Sequence, residues 1–293
     1  PMDAISSWNI RGLNWPNKQD ELKIFLHQNK IGLMGLLETK IKIEKVSTVA
    51  NNIFPHWHWF HNFTPSSRGR IWVAWNPVIY RVEELHKADQ YIHCRVTHQF
   101  AGHCFYITFV YGANREAERR ELWEALTSIA ETMDDAWCVL GDFNSVLYLE
   151  DRRGGTEVQD FEVRPFMDCL TTCELQEMRF RGPYYSWTNN TVWTRIDRVL
   201  TNTLWYAIFD FCQTAYLPSS LSDHTPMLLE TPTCPIPPKM FHYCNMWARD
   251  PGFLPAVQAC APNDLPGDPW RSLAQYLDRV RQRLRTLHRH KYG

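Results

Sequence analysis

The feature that most constrains this chain is a pair of short, almost wholly apolar runs, Ile31–Leu37 and Trp137–Leu140, each leading to a carboxylate just beyond its end, Glu38 and Asp142. Apolar runs of this length read as strands buried on both faces, which other layers must cover. Residues 2–9 read as a further strand, entering the turn Asn9-Ile10-Arg11-Gly12. Pro16 is suited to open a helix over about 16–29, with Leu22, Phe25 and Leu26 on one face. More strands are expected near 56–60, 70–75, 91–97, 104–111, 184–188, 194–200, 211–216 and 226–230. Asn114 is expected to cap a long helix over about 115–134, and another helix falls near 160–172. Strands and helices mixed in two similar halves predict an α/β fold, a four-layer α/β sandwich of two packed mixed β-sheets flanked by helices.

Composition agrees with a large core. The chain has 293 residues, of which 44% are hydrophobic and 22% charged, so wholesale disorder is not expected. No apolar stretch approaches the ~20 residues of a membrane span, and the first residues lack the pattern of a secretory signal. Nine scattered cysteines, an odd number, argue against a disulfide framework and for reduced thiols inside a cell. Three segments are expected: a sandwich domain over 1–231, a Pro-rich linker over 232–267, and a basic amphipathic helix over 268–293. Leu273, Leu277, Val280, Leu284 and Leu287 stripe that helix. Net charge is −1, but residues 269–293 carry +6, which leaves −7 on the rest. A basic tail thus follows an acidic body, which fits a site that gathers carboxylates around a cation.

Several polar residues follow the expected strands. Asn9, Glu38, Asp142, Asn144 and Asp197 do so, and Asp223 and His224 sit in Ser-Asp-His-Thr-Pro. The set holds four carboxylates, two amides and one histidine, with no serine or cysteine nucleophile. Carboxylate and amide oxygens suit a hard cation such as Mg²⁺. An imidazole beside acids suits polarisation of a reacting oxygen. Together they predict metal-assisted hydrolysis of a phosphodiester. Each residue also has a plainer reading. Asn9 could be a turn residue, Glu38 a solvated cap and Tyr111 part of the core. Asp197 could be bridged structurally to Arg195 or Arg198.

The ordered series Trp8-Asn9-Ile-Arg-Gly-Leu, Leu37-Glu38-Thr39, Val110-Tyr111-Gly112, Gly141-Asp142-Phe143-Asn144, Arg195-Ile196-Asp197 and Ser222-Asp223-His224 resembles the endonuclease/exonuclease/phosphatase superfamily. Within it, residues 2–231 resemble the apurinic-like endonuclease of LINE-type (non-LTR) retrotransposon polyproteins, above all those of plants. The resemblance implies a Mg²⁺-dependent enzyme, with Mn²⁺ able to substitute, that nicks double-stranded DNA for target-primed reverse transcription. It implies Glu38 as principal metal ligand, with Asn9 and Asp223 near the metal. Asp142 would orient or deprotonate the attacking water, while Asn144 and Tyr111 would contact the phosphate. His224 would stabilise developing charge, its ring oriented by Asp197. DNA contacts are expected from Arg11, Arg68, Arg70 and the hairpin residues Ser186, Asn189 and Asn190. A downstream reverse transcriptase region of the same polyprotein is the expected partner, with synthesis in the cytoplasm and action in the nucleus. Arg11 stands where repair-type members often carry an acid, which weakens an abasic-site repair reading. The alternatives are a phosphatase or phosphodiesterase acting on inositol phosphate, sphingolipid or RNA, and a catalytically dead nucleic-acid-binding module.

Overall fold

The computed structural model describes residues 4–63, 70–218, 221–230, 250–260 and, between 276 and 287, residues 276, 277, 279, 280, 283, 284, 286 and 287. In chain order the first half runs β1 (Ala4–Asn9), α1 (Pro16–Gln28), β2 (Ile31–Leu37), α2 (Val46–Ile53), β3 (His58–His61), β4 (Ile71–Trp75), β5 (Tyr80–Ala88), β6 (Tyr91–His98), β7 (Cys104–Tyr111), α3 (Glu116–Ala130) and β8 (Trp137–Asp142). Then follow β9 (Arg152–Arg153), α4 (Asp160–Thr172), β10 (Gln176–Glu177), β11 (Phe180–Arg181), β12 (Trp187–Thr188), β13 (Trp193–Thr194), β14 (Asp197–Thr201), α5 (Trp205–Ile208), β15 (Gln213–Tyr216), β16 (Met227–Glu230) and α6 (Phe253–Gln258).

One seven-stranded sheet has the order β11-β15-β16-β1-β2-β4-β3, and a six-stranded sheet the order β10-β14-β8-β7-β6-β5. In each, a parallel pair spans a crossover helix: β1 and β2 around α1, β7 and β8 around α3. Ile5, Leu33, Val73, Ile107, Phe109 and Leu140 belong to the core buried between the sheets. Helices α1 and α2 cover the outside of the first sheet through Leu22, Leu26, Val49 and Ile53. Helices α3 and α4 cover the second through Leu122, Trp123, Leu126 and Phe166. The result is the expected four-layer sandwich. Pro16 does open α1, where its missing N–H costs nothing. Asn114 does not cap α3; Arg115 holds that position, and the helix stops at Ala130.

The contacts divide the chain into two compact units, Pro1–Thr233 and Cys234–Gly293. Within the second, α6 lies inside the stretch expected as a linker. The residues described between 276 and 287 are helical. Of the expected stripe, Leu284 is buried and Leu277 is exposed. No helix among the described residues is long and apolar enough to cross a membrane.

Candidate active site

Strand register assembles the site. β8 pairs in parallel with β7 and antiparallel with β14, which sets Tyr111 beside Asp142 and Asp142 directly opposite Asp197. In the other sheet, Asn9 ends β1 alongside Leu37, the last residue of β2, so Glu38 follows at the same level. The side-chain amide of Asn9 donates to Asp142 Oδ2 at 2.8 Å and so ties the ends of the two sheets together. Within the second sheet Gly141 lets β8 lie close against β7: a Cβ there would meet the Val110 carbonyl oxygen at 2.0 Å. Glu38 and Asn144 take left-handed backbone angles, φ 52° and 49°, as does Arg11 at 50°. Such angles are uncommon away from glycine and concentrate at functional sites.

Asp142, Asp197 and His224 are all buried. His224 Nδ1 lies 2.9 Å from Asp197 Oδ2, which also accepts from Ser186 Oγ at 2.7 Å. The other ring nitrogen, Nε2, faces Asp142 Oδ2 at 3.9 Å. That gap is too long for a hydrogen bond, so both atoms can turn to one reacting oxygen set to the side of them. Asp142 Oδ1 accepts the Asn144 N–H at 2.9 Å. Burial, then the Asp197 charge, pushes the Asp142 carboxyl well above the usual carboxylate range. Burial alone would lower the His224 pKa, but the carboxylates of Asp197 and Asp142 outweigh it and raise it to about 9. Tyr111 is pushed up to about 12 by burial and by Glu38 and Asp142, with the Arg70 guanidinium 5.2 Å from its ring centre.

Asp142 and His224 hold protons more tightly in the folded chain than in the unfolded one. Their stabilising contribution is therefore greatest at low pH and declines as pH rises. Asp142 contributes the earlier part of that decline, starting near its ordinary pKa of 3.8, and His224 the part between 6.5 and about 9. The metal-free protein should lose denaturant resistance between pH 6 and pH 9.5. His224→Gln should flatten that loss in urea titrations at the two pH values, and an unchanged slope would contradict the assignment.

Glu38 and Asp223 stand at the exposed edge of this buried set. Arg11 bridges them, its Nε 3.5 Å from Glu38 and its Nη1 3.0 Å from Asp223. Lys40 Nζ lies 2.9 Å from Glu38. Sequence reasoning assigned no role to Lys40, nor to Trp187, whose indole N–H donates to Asp223 at 2.9 Å. It also missed the anchors of the His224 turn: Ser222 Oγ donates to the Asn9 carbonyl at 2.7 Å, and Trp8 Nε1 to the His224 carbonyl at 3.0 Å. These contacts span more than two hundred residues, so no local pattern carried them. A cavity of about 400 Å³ opens beside Glu38, lined by Lys40, Ile41, Lys42, Arg70, Tyr111 and Asn114. A larger one of about 860 Å³, between α3 and the outer face of the second sheet, contains none of the site residues.

Ser186 is not on the DNA-facing surface expected of it. It is fully buried, and its hydroxyl accepts the N–H groups of Ile196 and Asp197 while donating to the Asp197 carboxylate. Asn189 and Asn190 are exposed at the tip between β12 and β13, with Asn189 Oδ1 organising the turn by accepting from Val192 N at 2.7 Å. Arg70 is exposed; Arg68 lies outside the described residues. Asp197 is bridged to neither Arg195 nor Arg198, both of which pair with Glu177.

Two groupings can hold a cation. The ligand atoms of Asp142, Asp197 and His224 all lie within 4.8 Å of one another, and this is the one such group of three acids or histidines among the described residues. His224 and Asp197 already bond to each other, however, and Asp142 accepts from Asn9 and Asn144, so a metal there would compete with those bonds. Glu38 and Asp223 offer oxygen donors at the solvent edge, where a bound ion would take the place of the Arg11 and Lys40 charges that now meet them. Oxygen-only donors at an accessible position fit a hard divalent ion better.

The chain belongs to the Endonuclease/Exonuclease/phosphatase family, whose model matches residues 6–224. Its fold is similar to the endonuclease domain of TRAS1, a telomere-specific non-LTR retrotransposon, with a TM-score of 0.62 and 13% identity over 78% of this chain and 97% of that one. It is also similar to the AP endonuclease LMAP from Leishmania major (TM-score 0.60, 16% identity, 77% and 86% covered). A mannosyl-6-phosphatase from Bacteroides thetaiotaomicron shares the fold too (TM-score 0.55, 11% identity, 78% and 98% covered). No curated protein matches the sequence.

Proposed function

We propose that the chain is a divalent-metal-dependent endonuclease that nicks double-stranded DNA, the target-site nickase of a LINE-type retroelement. The observation that carries the reading is the charge around the mouth of the site. Arg11 and Lys40 pair with the carboxylates at the edge of the site, and the cavity beside Glu38 has Lys40, Lys42 and Arg70 among its lining residues. Such a collar suits a polyanionic backbone with phosphates on both sides of the one cleaved. Asp142 orients the attacking water, aided by Asn9 and Asn144. His224 presents Nε2 to the phosphate as a charged donor while Asp197 fixes its other nitrogen. Asn144 and Tyr111 contact the phosphate. Glu38, Asp223 and Asn9 would hold Mg²⁺ or Mn²⁺, which would neutralise the phosphate and stabilise the departing oxygen when bound. The exposed tip at Asn189 and Asn190 would lie along the duplex. The basic C-terminal segment would serve as a phosphate-binding arm or lead toward a reverse transcriptase region.

Supercoiled plasmid should be converted to the nicked form with Mg²⁺ or Mn²⁺ and spared in excess chelator. Turnover of a soluble inositol phosphate with plasmid untouched would move the assignment to a phosphatase. Arg70→Ala should weaken duplex binding for all sequences alike, with the slope of log affinity against log salt shallower by about 0.9.

A further inference from the structure

Beneath the hairpin lies a cluster of buried charges that the proposed chemistry does not use. The side chain of Arg195 is 1% exposed. Its Nε and Nη2 donate to Glu177 Oε1 at 3.1 and 2.6 Å. Its guanidinium carbon lies 3.7 Å from the centre of the Phe180 ring, with the Tyr216 and Tyr184 ring centres at 4.8 and 5.2 Å. Glu177, which Arg198 shares, supplies the opposing charge, and the fork reaches two further acceptors. Nη1 donates to the Tyr184 carbonyl at 2.8 Å, and Nη2 to the Tyr216 hydroxyl at 3.2 Å.

Both of those acceptors lead to Asp197. The Tyr216 hydroxyl spends its single proton on the Asp197 carbonyl at 2.9 Å. Tyr184 stands two residues before Ser186, whose hydroxyl holds the Asp197 carboxylate. One guanidinium thus fixes the backbone of Asp197 from one side and its side-chain anchor from the other. We propose that Arg195 is a positioning residue of the active site, which sets the Asp197 carboxylate in line with His224 through Tyr216 and the Tyr184–Ser186 segment. The proposal rests on the hydrolytic reading above for its kinetic consequence but not for its geometry.

The test compares Tyr216→Phe, Arg195→Lys and Arg195→Met with the wild-type chain by thermal melting, plasmid nicking and proton NMR. Tyr216→Phe removes one hydroxyl and keeps the ring, so it should fold. Arg195→Lys keeps the charge on Glu177 but not a rigid fork that can reach both further acceptors. If Arg195 only balanced charge, lysine would restore function. Instead, kcat should fall about 10- to 100-fold in all three variants, as expected when a catalytic group is slightly misplaced. KM should stay within about threefold, because no substrate contact is removed.

The far-downfield Nδ1 proton of His224, identified by its loss in His224→Gln, should move upfield in each variant. That signal reports the His224–Asp197 bond whether or not the chain nicks DNA. A signal shifted in the variants, beside a wild-type chain that nicks nothing, would uphold the positioning role and reject the nuclease reading. Folded variants with unchanged resonance would overturn the positioning role, and so would full kcat in Tyr216→Phe and Arg195→Lys where the wild type is active.

Discussion

Asp142→Ala and His224→Ala should each lower the nicking rate by at least about 100-fold, or about 2.7 kcal/mol of barrier. The expectation comes from the geometry of the pair. Asp142 Oδ2 and His224 Nε2 face each other across 3.9 Å without bonding, so both are available to one reacting group. Removing the carboxylate leaves the water unoriented, and removing the imidazole leaves the phosphate charge unopposed. The double variant should lose less than the product of the single losses, since both groups serve one transition state. Nicking measured under single-turnover conditions, so that release does not mask chemistry, decides the matter. Strictly multiplicative losses would mean that the two residues act independently.

Arg198→Met should destabilise the fold by about 3–5 kcal/mol, the usual effect of removing one partner from a buried ion pair. Arg198 is fully buried between two acids, with Nη1 2.7 Å from each Glu177 oxygen and Nη2 bonded to Asp151. Asp151 is itself fully buried and accepts the N–H groups of Leu147 and Tyr148 at 2.7 and 2.8 Å, besides the Tyr184 hydroxyl at 2.9 Å. Methionine fills comparable volume, so the loss would reflect the uncompensated carboxylates rather than a cavity. Urea unfolding of variant and wild type should differ by that amount, and a difference under about 1 kcal/mol would show water entering to solvate the acids.

Strong local patterns made much of the architecture legible in the sequence. Ile31–Leu37 and Trp137–Leu140 are apolar throughout because both faces of their strands are covered, and the polar residues that end them mark the site. β5 escaped because only Tyr80 and Val82 are buried in it; the remainder, Glu83 to Ala88, is partly or largely exposed and gives no alternation. Helix α2 was hidden by its valines, threonine and isoleucine, which favour strands when no partner is visible. β9, β10 and β11 have two residues each and fall below any periodic signal. Within the site, the acids, amides and histidine announced themselves by type and position. Their supports did not. Ser186 looks like a surface hydroxyl until β14 folds back over it. Arg195 and Arg198 look like partners for Asp197 because they are adjacent, whereas their acids come from 177 and 151.

The Asn9–Asp142 hydrogen bond joins the ends of two separate sheets, with Glu38 and His224 presented from the first and Asp142 and Asp197 from the second. Catalysis therefore depends on how the two layers are docked and not on either layer's own hydrogen bonding. A small slide of one sheet over the other would part the reacting groups while every ladder stayed intact. Nicking should accordingly be the first property to fade as denaturant is added, ahead of any change in the backbone circular dichroism, and the last to return on dilution, once the layers have closed.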